Sequence, residues 1–110
     1  TNVEGVVCSA DSVNLPPNSI DLAFICDTYH HFEFPIKTMR SLHQALRPGG
    51  EVIVIDFHRI DGKSRAWIMD HVRANQEGFT KEIESAGFEK VEEFNDMLDE
   101  TYYLRFKKSP

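Results

Sequence analysis

The stretch DLAFICDTYHHFEFPIKTMRSLHQALRPGGEVIVIDF, residues 21–57, decides the reading of the fold. Its two ends, DLAFIC and EVIVIDF, are apolar with almost no polar alternation, the pattern of strands covered on both faces. Between them Pro35 opens a segment in which Ile36, Met39, Leu42, Ala45 and Leu46 recur at helical spacing, and Gly49-Gly50 stops it. Strand, helix and strand in this order form a crossover unit, which predicts two parallel strands. Each strand then gives way abruptly to ionisable side chains. Asp27, Thr28, Tyr29, His30 and His31 follow the first; Asp56, His58, Arg59 and Asp61 follow the second.

Working outward, VEGVVCSA (3–10) reads as a further short strand, and Pro16, Pro17 and Asn18 supply turn chemistry after it. Downstream, Ser64 is expected to cap a helix carrying Trp67, Ile68, His71 and Val72. A second helix, marked by Phe79, Ile83 and Ala86, ends at Gly87. FEKVEEF and TYYLRFKK read as closing strands; in the latter Tyr102, Leu104 and Phe106 alternate with Tyr103, Arg105 and Lys107. The whole is an α/β chain whose sheet is parallel at first and closes with an antiparallel pair. In such sheets ligands sit beyond the carboxyl ends of the strands. Asp11, Asp27 and Asp56 each stand where a predicted strand gives out. Taken singly, each is equally well a turn or helix cap; taken together, they point to one site.

Composition narrows the function classes. At 110 residues the chain has the size of one domain, and its 41% hydrophobic and 27% charged residues are those of a globular protein. No apolar stretch is long enough to cross a bilayer, so no membrane partner is expected. A net charge of −6, with only Lys107-Lys108 as a basic pair, argues against nucleic acid. Cys8 and Cys26 show no metal-binding spacing and read as buried, reduced thiols; with no signal peptide in view, a cytoplasmic location is expected.

The segment ADSVNLPPNSIDLAFICDTYHHFEFPIKTMRSLHQALRPGGEVIVIDF (10–57) resembles the second half of class I S-adenosylmethionine-dependent methyltransferases. It carries, in order, Asp-x-x-x-Leu-Pro, Asp-Leu before an apolar strand, a His-His pair, an amphipathic helix, and Leu-Arg-Pro-Gly-Gly before another strand. The resemblance implies a partial Rossmann-like methyltransferase fold over residues 1–110, with S-adenosylmethionine as cofactor and a small molecule as acceptor. It further implies that Asp11 accepts from the adenine amino group, that the Ser12 backbone faces the ring, and that Asp27, Thr28 and Tyr29 lie along the methionine part. His30 and His31 would border the acceptor, either as the base that takes its proton, and HFEFP with GKSRAWIMDHVRA resembles relatives in which Arg59, His71 and Arg73 face the substrate. Two alternatives stand beside this: a structural histidine bonded to a backbone carbonyl, and a metal site on Asp27, His30 and His31. No bound metal is required, because methyl transfer needs alignment, exclusion of water and, for a protonated acceptor, a base. Trp67 and the aromatic final strand read as core.

The family also resembles doubly wound nucleotide-binding folds in carrying a glycine-rich loop and an acidic ribose ligand after its first strand. Neither occurs upstream of Asp11, and the first residue is Thr1. The expectation is therefore the C-terminal portion of such a domain, truncated or a fragment. A non-catalytic methyltransferase-like remnant, serving in interaction or assembly, is the alternative reading. Since the family orders its strands three, two, one, four, five, seven, six, DLAFIC is expected at a sheet edge. That edge would favour a homodimer through residues 22–26, or the folding of VEGVVCSA against it.

Overall fold

Pro35, whose fixed φ suits a first helical turn and whose missing N–H costs nothing there, begins α1 (Pro35–Ala45). Thr38, Met39, Leu42 and Ala45 form its buried stripe. The computed structural model describes residues 2–110. Among them, β1 (Ile20–Cys26), β2 (Leu46–Phe57), β3 (Phe88–Phe94) and β4 (Thr101–Lys108) make one sheet in the order β1-β2-β4-β3. Strand β1 pairs parallel with β2, while β4 pairs antiparallel with both β2 and β3. This is the α/β, Rossmann-like arrangement expected, matching the last four strands of the family order. β1 stands at the edge.

The glycine pair acts differently from the expectation. Helix α1 ends at Ala45, and Leu-Arg-Pro-Gly-Gly already belongs to β2. Ile20 is in register with Leu46, but Leu22 is in register with Glu51, so residues 47–50 bulge out of the ladder. Gly49 takes φ 83° there, and a Cβ on Gly50 would lie 2.8 Å from the Arg47 carbonyl oxygen. The glycines therefore shape the entry to a strand; they do not end the helix.

Helices α2 (Ala66–His71) and α3 (Gln76–Ser85) follow β2. Asn75 caps α3 by accepting from the Gly78 N–H at 2.9 Å, and Gly87, at φ 102°, lets the chain leave for β3. Ser64 is not a cap, contrary to expectation. Its hydroxyl accepts from Ile60 N–H and donates to the His58 carbonyl, closing the turn before α2, whose flanking residue is Arg65.

Val52 and Val54 of β2 lie opposite Leu104 and Phe106 of β4, and all four are fully buried with Met39, Ile68, Phe79 and Ile83 in one core. The alternate residues face the other way. Ile53 and Ile55 are half-buried there, while Leu22 and Phe24 are 55% and 63% exposed. Among the described residues this face is largely open, so the two-sided cover expected from the apolar runs is not present. Three further expectations are corrected. Residues 3–10 belong to none of the described strands, and Ser9 makes an isolated bridge with Ser12; Val6 and Cys8 line a groove of about 360 Å³ along the free edge of β1. Both cysteines are free thiols but exposed, not buried. Trp67 is 41% exposed and meets Phe57 edge-on, so it is not core, whereas Tyr102 and Phe106 of the final strand are. No helix among the described residues is long and apolar enough to cross a membrane.

Candidate functional site

Strands β1 and β2 run parallel and end side by side. Cys26 is in register with Ile55, and the Asp27 N–H donates to the Ile55 carbonyl at 2.9 Å. Asp27 then takes φ 54°, a left-handed conformation that Asp tolerates better than most side chains, and the chain turns out of the sheet into a 3-10 turn, Tyr29–His31. The turn drops His30 onto the end of β2. Its ring Nδ1 lies 2.8 Å from one Asp56 carboxylate oxygen, and its backbone N–H donates to the other at 3.0 Å. Phe57 N–H donates to Asp56 as well, at 2.7 Å. Three nitrogens thus converge on a carboxylate with no exposed surface, which satisfies the oxygens that burial would otherwise leave bare.

Two more imidazoles complete the group. The His31 ring lies 4.1 Å from that of His30, centroid to centroid, and His71, at the end of α2, stands 5.8 Å from His31 and 6.5 Å from His30. Phe57 meets the His30 ring edge-on at 5.9 Å. His31 and His71 are exposed, while His30 is 7% exposed. Among the described residues no three His, Cys, Asp or Glu side chains are arranged to hold a metal ion.

The other expected site residues are distributed unevenly. Asp27 and Thr28 are exposed beside the histidines; the Thr28 hydroxyl donates back to the Cys26 carbonyl at 2.8 Å. Tyr29 is a core residue. Its hydroxyl donates to Glu82 at 3.0 Å, and burial first, then the Glu82 carboxylate, pushes its pKa above the ordinary tyrosine range. Arg73 forks onto the same carboxylate at 2.7 and 2.9 Å and stacks 4.6 Å over Phe79. That hydrogen bonding raises its pKa and ties its charge to Glu82. Arg59 lines a separate polar cavity of about 390 Å³ with Asp61, Asn75 and Glu77. Its Nε is buried without a partner, and Nη2 reaches the Met69 carbonyl only at 3.4 Å. Of the three residues expected to face a substrate, His71 alone stands in the histidine cluster.

Asp11 and Ser12 lie on the loop before β1. Asp11 is exposed and accepts from the Ser9 hydroxyl at 3.2 Å; the Ser12 hydroxyl accepts from Asn14 N–H at 3.1 Å. Val13 N–H, bonded to Ser41 at 3.0 Å, straps this loop to α1. No hydrogen bond among the described residues joins Asp11 or Ser12 to the turn at 27–31. Cys26, though exposed as a residue, has its thiol pKa raised by partial desolvation first and then by the Asp27 and Asp56 carboxylates, which keeps it a thiol. Sequence reasoning placed Asp56 at a strand end facing the site but gave it no role; its bonds to His30 are what the structure adds. Its signal was present, since a parallel pair in register places the residue after DLAFIC beside the end of EVIVIDF.

A sheet of this order, with its polar side chains gathered at the carboxyl ends of two parallel strands, is the arrangement of the class I S-adenosylmethionine-dependent methyltransferases, and the sequence and fold of the chain are consistent with that family. Residues 1–54 match the family model described as "Methyltransferase domain". The chain is 27% identical over 95 residues to phosphoethanolamine N-methyltransferase of Triticum aestivum, covering 81% of this chain and 19% of that protein. It is 25% identical over 122 residues to the ubiquinone/menaquinone biosynthesis C-methyltransferase UbiE of Enterobacter sp. (strain 638), covering 86% of this chain and 49% of that one. A crystal structure of a SAM-dependent methyltransferase from Aquifex aeolicus superposes with a TM-score of 0.83 at 19% identity, over 97% of this chain and 55% of that chain. The chain thus spans half or less of the length of these curated relatives.

S-adenosylmethionine is the cofactor of this family. The donors at hand suit it in kind. Among the described residues the Asp27 carboxylate makes no hydrogen bond and that of Asp11 makes one, so both have capacity to accept from the N–H groups of a ligand that carries positive charge. The Tyr29 side chain, wholly enclosed, offers no surface to such a ligand.

Proposed function

We propose that this chain contributes the acceptor side of a methyltransferase site acting on a small molecule. The supporting observation is the cluster of His30, His31 and His71 at the joint carboxyl end of β1 and β2, anchored on buried Asp56. Asp11 would hold the adenine amino group beside the Ser12 backbone, and Asp27 with Thr28 would lie along the methionine part. When bound, S-adenosylmethionine supplies a methyl group on a sulfonium, an electrophile that needs no further activation. What the protein adds is alignment of the acceptor and exclusion of water. His31 and His71 are the exposed imidazoles available to an acceptor, and His30 is the one fixed in orientation.

Calorimetric titration of the 110-residue protein with S-adenosylhomocysteine tests the reading. Saturable heat that Asp27→Ala and Asp11→Ala each weaken by about tenfold supports it, in keeping with loss of one charge-assisted contact. No heat at millimolar ligand overturns it for this chain and favours the non-catalytic interaction module instead.

A further inference from the structure

We infer that Asp56 is a positioning residue that makes His30 a one-directional proton acceptor, so that the acceptor molecule is one with a proton to lose: a hydroxyl, thiol or carbon acid. The inference rests on the methyl-transfer reading above and adds the substrate class to it.

The geometry carries it in three steps. An ionised carboxylate can only accept hydrogen bonds, so the ring nitrogen 2.8 Å from Asp56 must bring the hydrogen. That nitrogen is Nδ1. In the neutral ring the lone pair is then left on Nε2, which makes no hydrogen bond among the described residues and is not one of their fully buried unpartnered atoms, although the His30 side chain as a whole is only 3% exposed. Rotation cannot exchange the two nitrogens, because His30 is held by its backbone bond to Asp56 at 3.0 Å as well as by its ring, between His31 and Phe57.

A structural histidine would show the opposite arrangement. His43 and His58 provide the contrast within the same chain: each points a ring nitrogen at a backbone carbonyl, Ser109 at 3.0 Å and Asn95 at 3.1 Å, with no carboxylate behind it. Among the described residues, His30 alone has a buried carboxylate on one ring nitrogen and a second ring nitrogen without a partner. Asp56 is also more than a cap, since its two oxygens divide three donors among the His30 ring, the His30 backbone and Phe57.

The step balances as a proton transfer. The acceptor's X–H bond breaks, its electron pair stays on X and makes X the nucleophile, and an N–H bond forms at Nε2. The imidazolium that results has its positive charge beside the Asp56 carboxylate, and the proton afterwards leaves from Nε2 to water as the site opens for product release. A base so placed is worth roughly 10²–10⁴ in rate.

Long-range ¹⁵N–¹H NMR on the unmodified protein reads the tautomer of His30 directly. A ring protonated on Nδ1, with Nε2 bare, is expected; a bare Nδ1 overturns the inference. Asp56→Asn keeps the shape but can turn an amide donor toward Nδ1, so the proton is expected to move to Nε2. Methyl transfer to a protonated acceptor should then fall by about 10²-fold or more in kcat with KM little changed. A variant that keeps the wild-type kcat also overturns it. If Asp56→Asn unfolds, as circular dichroism would show, His30→Gln is measured instead, with the same expected loss. S-adenosylhomocysteine binding is followed throughout: its absence from the unmodified protein counts against methyl transfer itself, whereas intact binding with an unmoved tautomer counts against the role of Asp56 alone.

Discussion

The two faces of the sheet are made by the same strands and behave as different materials. On one face Val52, Val54, Leu104 and Phe106 lie under the helices with no exposed surface. On the other, Ile53 and Ile55 are half-buried and Leu22 and Phe24 mostly exposed. The difference is not one of residue type along β1 and β2, where both faces are apolar. It is one of cover. Along β4 it is also one of type, because Arg105 occupies the open face and pairs with Glu51 and Glu92 across the strands, a solvated ladder. The closing half of the sheet is therefore built to meet water on one side, and the opening half is not. Stability should follow the covered face, and association the open one.

The largest effect that would break this contrast is a cavity under the helices. Leu104→Ala removes a fully buried side chain from the centre of the core, and the expected cost is about 2–5 kcal/mol, read as a shift in the urea midpoint. A loss below about 1 kcal/mol would mean that the covered face is not the main source of stability.

Next in size is the alkaline limb. Tyr29 and Tyr102 are both buried on the covered side, and burial is the first cause that pushes each pKa above the ordinary tyrosine value. The raised pKa means the folded state keeps its protons longer than the unfolded chain. Stability is thus untouched by the titration of these hydroxyls below about pH 10, where unfolded tyrosines remain protonated, and declines as pH rises beyond it. The expected slope is up to about 1.4 kcal/mol per pH unit for each tyrosine, and Tyr29→Phe with Tyr102→Phe should flatten it. An unchanged slope in the double variant would show that the titrating groups lie elsewhere.

At neutral pH the same two residues separate. The Tyr102 hydroxyl is buried with no partner, whereas that of Tyr29 is bonded to Glu82. Removing an unsatisfied hydroxyl relieves a desolvation cost, so Tyr102→Phe should be neutral or stabilising by up to about 1 kcal/mol, and Tyr29→Phe destabilising by about the same. Thermal melting of the two single variants decides it; a reversed order would place a hydrogen-bond partner at Tyr102.

What could be read beforehand divides along the same line as the faces. β1, the closing strands and the parallel-then-antiparallel order were legible because period and turn residues are local signals. The Gly49-Gly50 bulge was not, since its cause is the close approach of Gly50 to Arg47, a contact no spacing rule contains. VEGVVCSA reads as a strand from its valines, yet among the described residues it belongs to none of the strands of the sheet. At the site the histidine pair and its carboxyl-end position were visible in the sequence. That Tyr29 would turn inward to Glu82 and Arg73 while His30 met Asp56 depended on the left-handed turn at Asp27, which redirects the chain just before both residues.

The smallest effect on stability, and the one that sharpens the comparison most, belongs to the open face. Phe24 is 63% exposed on an edge strand, so Phe24→Ser removes little buried area and should change the folding free energy by less than about 0.5 kcal/mol. The same residue lies on an edge whose outer N–H and C=O groups have no neighbouring strand, beside Leu22 and the apolar groove lined by Val6, Val13 and Leu15. Such an edge templates pairing with another copy of itself. Sedimentation of the unmodified chain should accordingly show concentration-dependent self-association that Phe24→Ser weakens, while its melting temperature stays within a degree or two. Were the serine variant instead to melt far lower with association unchanged, the two faces would have exchanged roles, and the edge would have to be counted as part of the core.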